Sequence, residues 1–178
     1  MNDSLTVPEN ISFKQAIDLT QNLILQIDLG TLTDAQITEI ISELVKTENG
    51  ARGFFVTYLT ADHSLADHPN DAIIAALRSH PESVAELLVK NVAMSAAQGV
   101  YHRRNNSEDA QGSARVQQRT IKLIELVDLP AVYEHSRQLL ASATTGEGIY
   151  KDFLNRWGYD TEQRQVICQA LQQVLSQA

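Results

Sequence analysis

The chain has 178 residues, of which 43% are hydrophobic and 20% charged, and it carries a formal net charge of −8 and one cysteine. This composition excludes a collagen-like chain, a disulfide scaffold and a wholly disordered polypeptide, and no apolar run approaches the roughly 20 residues that span a bilayer. We therefore expect no membrane partner. Because phosphate backbones repel an acidic chain, the charge also argues against nucleic acid as a partner.

The N-terminal stretch and the cysteine predict a cytoplasmic protein. Residues 1–10 carry Asp3 and Glu9 with no basic residue and no apolar core, which is the opposite of a secretory signal. We expect this stretch to be disordered. Cys168 has no second cysteine to pair with, and it is interpreted as a small hydrophobe rather than a nucleophile.

Capping boxes mark the starts of the first two predicted helices. The pairs are Ser12 with Gln15 and Thr33 with Gln36. We expect the first helix to run to about Asp28 and the second to end at Asn49-Gly50, because a glycine after an apolar stripe is a common C-terminal signal. Residues 49–53 are interpreted as this stop followed by a flexible linker.

Residues 53–60, with the sequence GFFVTYLT, fit either a strand or one face of a helix. A strand must pair with another strand, and the sequence offers no second strand-like segment, so we predict a helix. A polar loop is expected to follow from residue 61 to residue 71, and then a short helix over residues 71–79.

The longest predicted helix runs from its capping box, Ser79 with Glu82, to about Arg103. It is apolar around much of its circumference, so its segment 84–98 is expected to be the most buried part of the protein, with the other helices packed around it. Residues 105–113, with the sequence NNSEDAQGS, contain one apolar residue and predict a flexible loop that could act as a hinge.

Helices resume after this loop and break at Leu129-Pro130. Two further capping boxes are Thr144 with Glu147, before a short helix, and Asp160 with Gln163, before the last one. These elements predict the all-α class, with about seven or eight helices and short loops in a single domain over residues 1–178, and no significant sheet.

A tandem Ala-Asp-His in the polar loop offers imidazole and carboxylate groups, the usual ligands of Zn, Fe and Mn. The candidate metal ligands are Asp62, His63, Asp67 and His68. On a helix His63 and Asp67 would share a face, but His63 and His68 would not. The competing interpretation is that Asp67 and Asn70 are turn and capping residues ahead of the next helix.

A local basic group interrupts the otherwise acidic chain. The candidate anion-binding residues are Arg103, Arg104, Arg115, Arg119 and Lys122. The last three are spaced by four and three, which places them on one side of a helix, and arginine binds carboxylates or phosphates in a bidentate manner. Alternatively, this is a solvated face that pairs with the acidic N-terminal helices of the same chain or of a second copy.

The last predicted helix has no charged side chain after Arg164, although a helix facing water usually carries charges. Glutamine side chains can hydrogen-bond across an interface without the cost of burying ions. The candidate interface residues are Gln165, Gln169, Gln172 and Gln173. The competing interpretation is that this helix is inserted into its own domain or that its glutamine face is solvated.

No residue pattern assigns catalytic residues or a cofactor, because the sequence has no G-x-S-x-G, no Glu-x-x-His and no phosphate loop. We therefore expect a helical protein that acts through protein–protein contacts, as an adaptor, regulator or assembly factor, with a protein partner or as a homo-oligomer. The alternative is a small-ligand or metal-dependent enzyme with its site near the Asp62–His68 loop. A third hypothesis is anionic-ligand or nucleic-acid binding through the Arg103–Lys122 basic group.

Overall fold

The computed structural model describes residues 5–178, and over these residues the protein is all-α. The described part contains nine helices, one more than the upper expectation, and no strand. The chain divides into two compact units, Met1–Leu87 and Leu88–Ala178. Of the stretch predicted to be disordered, residues 1–4 lie outside the described residues, and residues 5–10 precede the first helix in turn and irregular structure.

The first unit contains four complete helices and the start of a fifth. They are α1 (Phe13–Asp28), α2 (Asp34–Val45), α3 (Glu48–Thr60), α4 (Asp71–Arg78) and the first residues of α5 (Pro81–Arg104). Helix α3 packs against α1 and α2, and α4 packs against α2. The aromatic side chains Phe54, Phe55 and Tyr58 are each 1% exposed, so the segment that fitted both a strand and a helix is a buried helix.

The first two predicted helix starts are confirmed. The hydroxyl groups of Ser12 and Thr33 accept hydrogen bonds from the third residue of α1 and α2, and the glutamine at that residue accepts one from the backbone of the cap. These reciprocal bonds satisfy two of the amide groups that a helix start leaves free.

The predicted helix stop and linker at residues 49–53 are wrong, because these residues form the start of α3. Thr47 caps this helix by accepting a hydrogen bond from the Gly50 amide at 3.1 Å. A Cβ atom at Gly50 would lie 2.1 Å from the Leu44 carbonyl oxygen, and one at Gly53 would lie 2.4 Å from Cβ of Ala16. Both glycines therefore serve close packing against α2 and α1 rather than flexibility.

Ser79 does not cap α5 as predicted. It is the C-cap residue of α4, and its hydroxyl donates to the carbonyl oxygen of Ala76. Asn70, which the alternative interpretation of the polar loop made a capping residue, does cap α4 by accepting a hydrogen bond from the Ile73 amide at 2.9 Å.

The second unit contains the rest of α5 and four further helices. They are α6 (Ala110–Val127), α7 (Pro130–Thr145), α8 (Lys151–Arg156) and α9 (Thr161–Leu175). Helix α7 packs against α8 and α9. The core includes Leu123, Leu139, Leu154 and Leu171, each fully buried.

The segment 84–98 of α5 is strongly buried, as predicted. Fully buried residues in it are Val84, Ala85, Leu88, Val89, Val92, Ala93 and Ala97. They occupy neighbouring positions around the helix rather than a narrow stripe, which explains why the sequence showed little amphipathic contrast there.

Two boundaries in the second unit differ from the prediction. Helix α6 begins at Ala110, so the connection after α5 is residues 105–109 and not the whole of 105–113. Thr144 does not begin a helix: it lies in α7, its hydroxyl donates to the Leu140 carbonyl at 2.8 Å, and α7 ends at Gly146 with a φ of 77°. The same sequence pattern thus occurs inside a helix, where the hydroxyl bonds the preceding turn.

Candidate functional site

The four predicted metal ligands lie in the turns between α3 and α4. His63 uses both ring nitrogens there: Nε2 lies 2.9 Å from the carbonyl oxygen of Tyr58, and Nδ1 accepts the amide of Leu65 at 3.1 Å. The Tyr58 hydroxyl donates to the Leu65 carbonyl at 2.7 Å. These bonds tie the loop to the C-terminal end of α3, so His63 orders the backbone locally.

Within residues 5–178, no three His, Cys, Asp or Glu side chains form a group that could hold a metal ion. The structure therefore does not bring Asp62, His63, Asp67 and His68 together as a ligand set. Metal binding by these residues stays a prediction without geometric support.

Four of the five predicted basic residues lie in three different environments. Arg104 forms a charge cluster at the start of α9, with Nη1 2.6 Å from Asp160 Oδ2 and Nη2 2.7 Å from Glu162 Oε2. Arg119 is buried, with 3% of its surface exposed. Arg115 and Lys122 are exposed on α6. The five bases do not form one anion-binding surface.

The Arg104 cluster stabilises the charged state of its members. The hydrogen bond from Arg104, together with the amide of Gln163, holds the pKa of the Asp160 carboxyl below its ordinary value. Hydrogen bonds to Asp160 and Glu162 raise the pKa of Arg104. Asp160 also caps α9 in the predicted capping box with Gln163, so the same carboxylate starts α9 and holds it to the end of α5.

The second unit contains a groove of about 390 Å³ lined by three helices, α5, α6 and α9. Its lining residues are Ser95, Ala96, Gly99 and Arg103 of α5, Ala110, Ala114 and Gln117 of α6, and Val166, Gln169, Ala170 and Gln173 of α9. Spacings of three and four along each helix place these residues on one face of it. We call this surface the α5–α6–α9 groove.

Small side chains create the space in the α5–α6–α9 groove. Six of its eleven lining residues are alanine, glycine or serine. At Gly99 an added Cβ atom would have no heavy atom within 4 Å, so this glycine leaves room instead of allowing a close helix contact. A ligand could therefore approach the backbone of α5 closely.

The polar groups of the groove are available to a ligand. The Arg103 side chain is exposed and forms no hydrogen bond or ion pair with any residue in the described range, in contrast to its neighbour Arg104. The side-chain amides of Gln117, Gln169 and Gln173 likewise have no hydrogen-bond partner among residues 5–178. One guanidinium and three amides thus face the groove unsatisfied by the protein.

The predicted glutamine interface is also divided. Gln169 and Gln173 line the α5–α6–α9 groove, whereas Gln165 and Gln172 are exposed on α9 outside it. Gln169 and Gln173 are four residues apart and lie on the part of α9 that lines the groove, and Gln165 and Gln172 lie beside that part.

The small residues of the groove are what the sequence interpretation missed. The sequence predicts that the segment 84–98 of α5, which includes Ala96, lies in the core and that residues 110–113 of α6 lie in a loop. The available signal was the spacing of four between Ala110 and Ala114 and of three between Ala96 and Gly99. Such spacing places small residues on one face of each helix but does not say which helices meet.

The described residues form an all-helical protein with an open groove in its C-terminal unit. The chain belongs to the family described as "Uncharacterised conserved protein UCP020893", whose model matches residues 12–174. No curated protein and no solved structure matches the chain. No helix in the described residues is both long enough and apolar enough to cross a bilayer.

Proposed function

We propose that the protein acts by binding another protein, as an adaptor, regulator or assembly factor, and that the α5–α6–α9 groove is its binding surface. The observation that carries this proposal is the combination of a small-residue floor with an unpaired guanidinium and three unpaired amides. Polar groups of this kind fix the orientation of a docked partner, and the small residues allow the partner to pack closely.

A helix of the partner is the element that suits this groove. Small residues let two helix backbones approach closely, and a groove between helices receives the apolar face of a third helix in a recurrent mode of recognition. The volume of about 390 Å³ accommodates a few side chains of such a helix.

The proposal places the protein in the cytoplasm and allows the partner to be a second copy of the chain. Cys168 is the only cysteine, so no disulfide within the chain is required for the fold. Fractionation of cells and sedimentation of the purified protein test these two statements separately.

Filling the groove tests the proposal. Gly99→Leu places a side chain into the groove without meeting other atoms at Cβ, and Gly112→Leu makes the same change on α6 outside the groove, where an added Cβ also has open space. Tagged wild-type protein and both variants are used to capture partners from native extract, and the captured proteins are compared by quantitative mass spectrometry.

We expect wild type and Gly112→Leu to capture equal amounts of at least one partner. Gly99→Leu should capture at least tenfold less of that partner. Circular dichroism of both variants checks that the helices are intact. The proposal is wrong if Gly99→Leu retains every partner of the wild type, or if both variants lose the same partners equally.

A further inference from the structure

We infer that Arg103 is the residue that selects the partner, and that the helix docking in the α5–α6–α9 groove carries one carboxylate side chain opposite Arg103 on an otherwise uncharged, small-residue face. This inference rests on the proposed function and specifies the chemistry of the partner.

Arg103 and Arg104 show the difference between an available and an occupied arginine. The Arg104 guanidinium is held by two carboxylates of α9 at 2.6 and 2.7 Å. Arg103 lines the groove and has no partner among the described residues. A guanidinium covered by a ligand loses its water, so the ligand must supply an acceptor, and a carboxylate gives the strongest bidentate pair.

The charge of the groove limits the ligand to a single carboxylate. Arg103 is the only charged residue among the eleven that line it, and Gln117, Gln169 and Gln173 provide neutral donors and acceptors. Arg115 and Lys122 do not line the groove, and Arg104 is already paired. A polyanion such as nucleic acid would therefore meet one available cation in the groove, and the chain as a whole carries a net charge of −8.

A partner helix without the carboxylate should bind more weakly, because Arg103 loses its water without gaining an acceptor. Covering Arg103 with a neutral side chain would leave a desolvated, unpaired charge. This penalty changes the affinity for a partner helix without the carboxylate more than a difference in contact area does. Arg103 is thus a specificity residue, while Gly99 and the alanines admit any small-residue helix.

Two synthetic peptides provide the probe. Both are about 18 residues long, a length at which alanine-based peptides form helix, and they differ only in a central glutamate or glutamine. Each is titrated into full-length ¹⁵N-labelled protein, with the amide signals of Gly99 in the groove and Gly112 outside it as reporters. The variants are Arg103→Gln and Arg115→Gln, which remove the same charge inside and outside the groove.

We expect the glutamate peptide to shift the Gly99 signal and not the Gly112 signal, with an apparent Kd at least tenfold lower than that of the glutamine peptide. Arg103→Gln should bring the two affinities within twofold, and Arg115→Gln should leave the tenfold difference in place. An unchanged spectrum of the free variants elsewhere shows that the fold is retained.

The inference is overturned if the two peptides bind wild type equally, if their difference persists in Arg103→Gln, or if neither peptide shifts Gly99. It is also overturned if acetate shifts Gly99 as strongly as the glutamate peptide at equal concentration, since a free carboxylate is then the ligand. Capture with Gly99→Leu tests the proposed function independently, so loss of partners in that variant together with equal peptide affinities would reject the carboxylate and keep the docking groove.

Discussion

At the scale of single residues, the glycines show that residue type alone does not decide structure. Gly50 and Gly53 lie in α3 where a Cβ atom would collide with backbone or Cβ atoms of α2 and α1, whereas Gly99 and Gly112 have open space. The sequence predicts a helix stop at Gly50 and a linker up to Gly53, because glycine is the commonest residue after a helix end. Whether a glycine lies in a linker or in a close helix contact depends on the distance to the neighbouring helix. A single sequence does not contain that distance.

Gly53→Ala is predicted to destabilise the protein by about 1–3 kcal/mol, because its new methyl group would lie 2.4 Å from Cβ of Ala16 and 3.0 Å from the Phe13 carbonyl oxygen. This cost outweighs the gain in helix propensity, which is about 1 kcal/mol. Equilibrium unfolding in urea measures the change. Gly112→Ala is the control and should raise the free energy of unfolding, so a rise for both variants would contradict the packing argument.

His63 and His68 are predicted to behave differently although both follow an aspartate. His63→Ala removes two hydrogen bonds to backbone and should lower the free energy of unfolding by about 1–3 kcal/mol, while the exposed His68 should change it by less than about 0.5 kcal/mol. Urea unfolding of both alanine variants checks this. Equal effects of the two substitutions would show that the ring contacts of His63 contribute nothing.

The same pair of variants tests the metal hypothesis. Titration with Zn, Mn or Fe(II) should reveal no binding at one equivalent that depends on His63 and His68, because the His63 ring nitrogens already serve the backbone. Tight binding that disappears in either alanine variant would establish the site and make the enzyme hypothesis the stronger one.

At the scale of elements, three of the five capping boxes read from the sequence are helix caps in the structure. The starts at Ser12, Thr33 and Asp160 are realised, whereas the patterns at Ser79 and Thr144 lie at or within helix ends. In those places the hydroxyl bonds a carbonyl of its own helix instead of a free amide. The residue pattern is the same, so only the surrounding packing separates a cap from an interior position.

Thr47→Ala should therefore cost about 1 kcal/mol, the usual value for losing a capping hydroxyl, because it removes the bond to the Gly50 amide. Thr144→Ala should cost less than about 0.5 kcal/mol, since its hydroxyl is exposed and bonds a carbonyl inside α7. Thermal unfolding of the two variants gives the comparison. A larger loss for Thr144→Ala would restore the predicted helix start at residue 144.

The Arg104 cluster gives the C-terminal helix a predicted dependence on pH. The pKa of Asp160 is lowered in the folded protein from an ordinary value of 3.8, so its stabilising contribution is fully present above that value and is lost as pH falls through the lowered pKa. Wild type should unfold at a higher temperature than Asp160→Asn at pH 6, and the difference should shrink as the pH falls below 3.8 toward 2. A difference that is unchanged at pH 2 would mean that the carboxylate charge is not its source.

At the scale of the whole molecule, charge is unequally shared between the two units. Residues 1–87 contain thirteen Asp and Glu against four Lys and Arg, whereas residues 88–178 contain nine against ten. The net charge of −8 therefore originates in the first unit, and the second is almost neutral. A unit with little net charge repels a charged partner less than a unit with a large net charge of the same sign does.

The all-α class and the starts of α1, α2 and α9 could be predicted, because periodicity and caps are local properties of a sequence. The α5–α6–α9 groove could not, although Arg103, Gln169 and Gln173 were singled out individually. Its three walls come from helices that are separated along the chain, and an alanine that lines a groove is indistinguishable by sequence from an alanine in a core. The grouping of these residues required the tertiary structure.

Photo-crosslinking from two positions of α9 tests the docking surface most directly. The crosslinking residue p-benzoylphenylalanine replaces Gln169, which lines the groove, or Gln172, which is exposed on α9 outside it. We predict that the partner captured by wild-type protein crosslinks at residue 169 and at least tenfold less at residue 172, and that Gly99→Leu abolishes the product at 169. Equal or stronger crosslinking from residue 172, or a product at 169 that persists in Gly99→Leu, would contradict docking in the α5–α6–α9 groove.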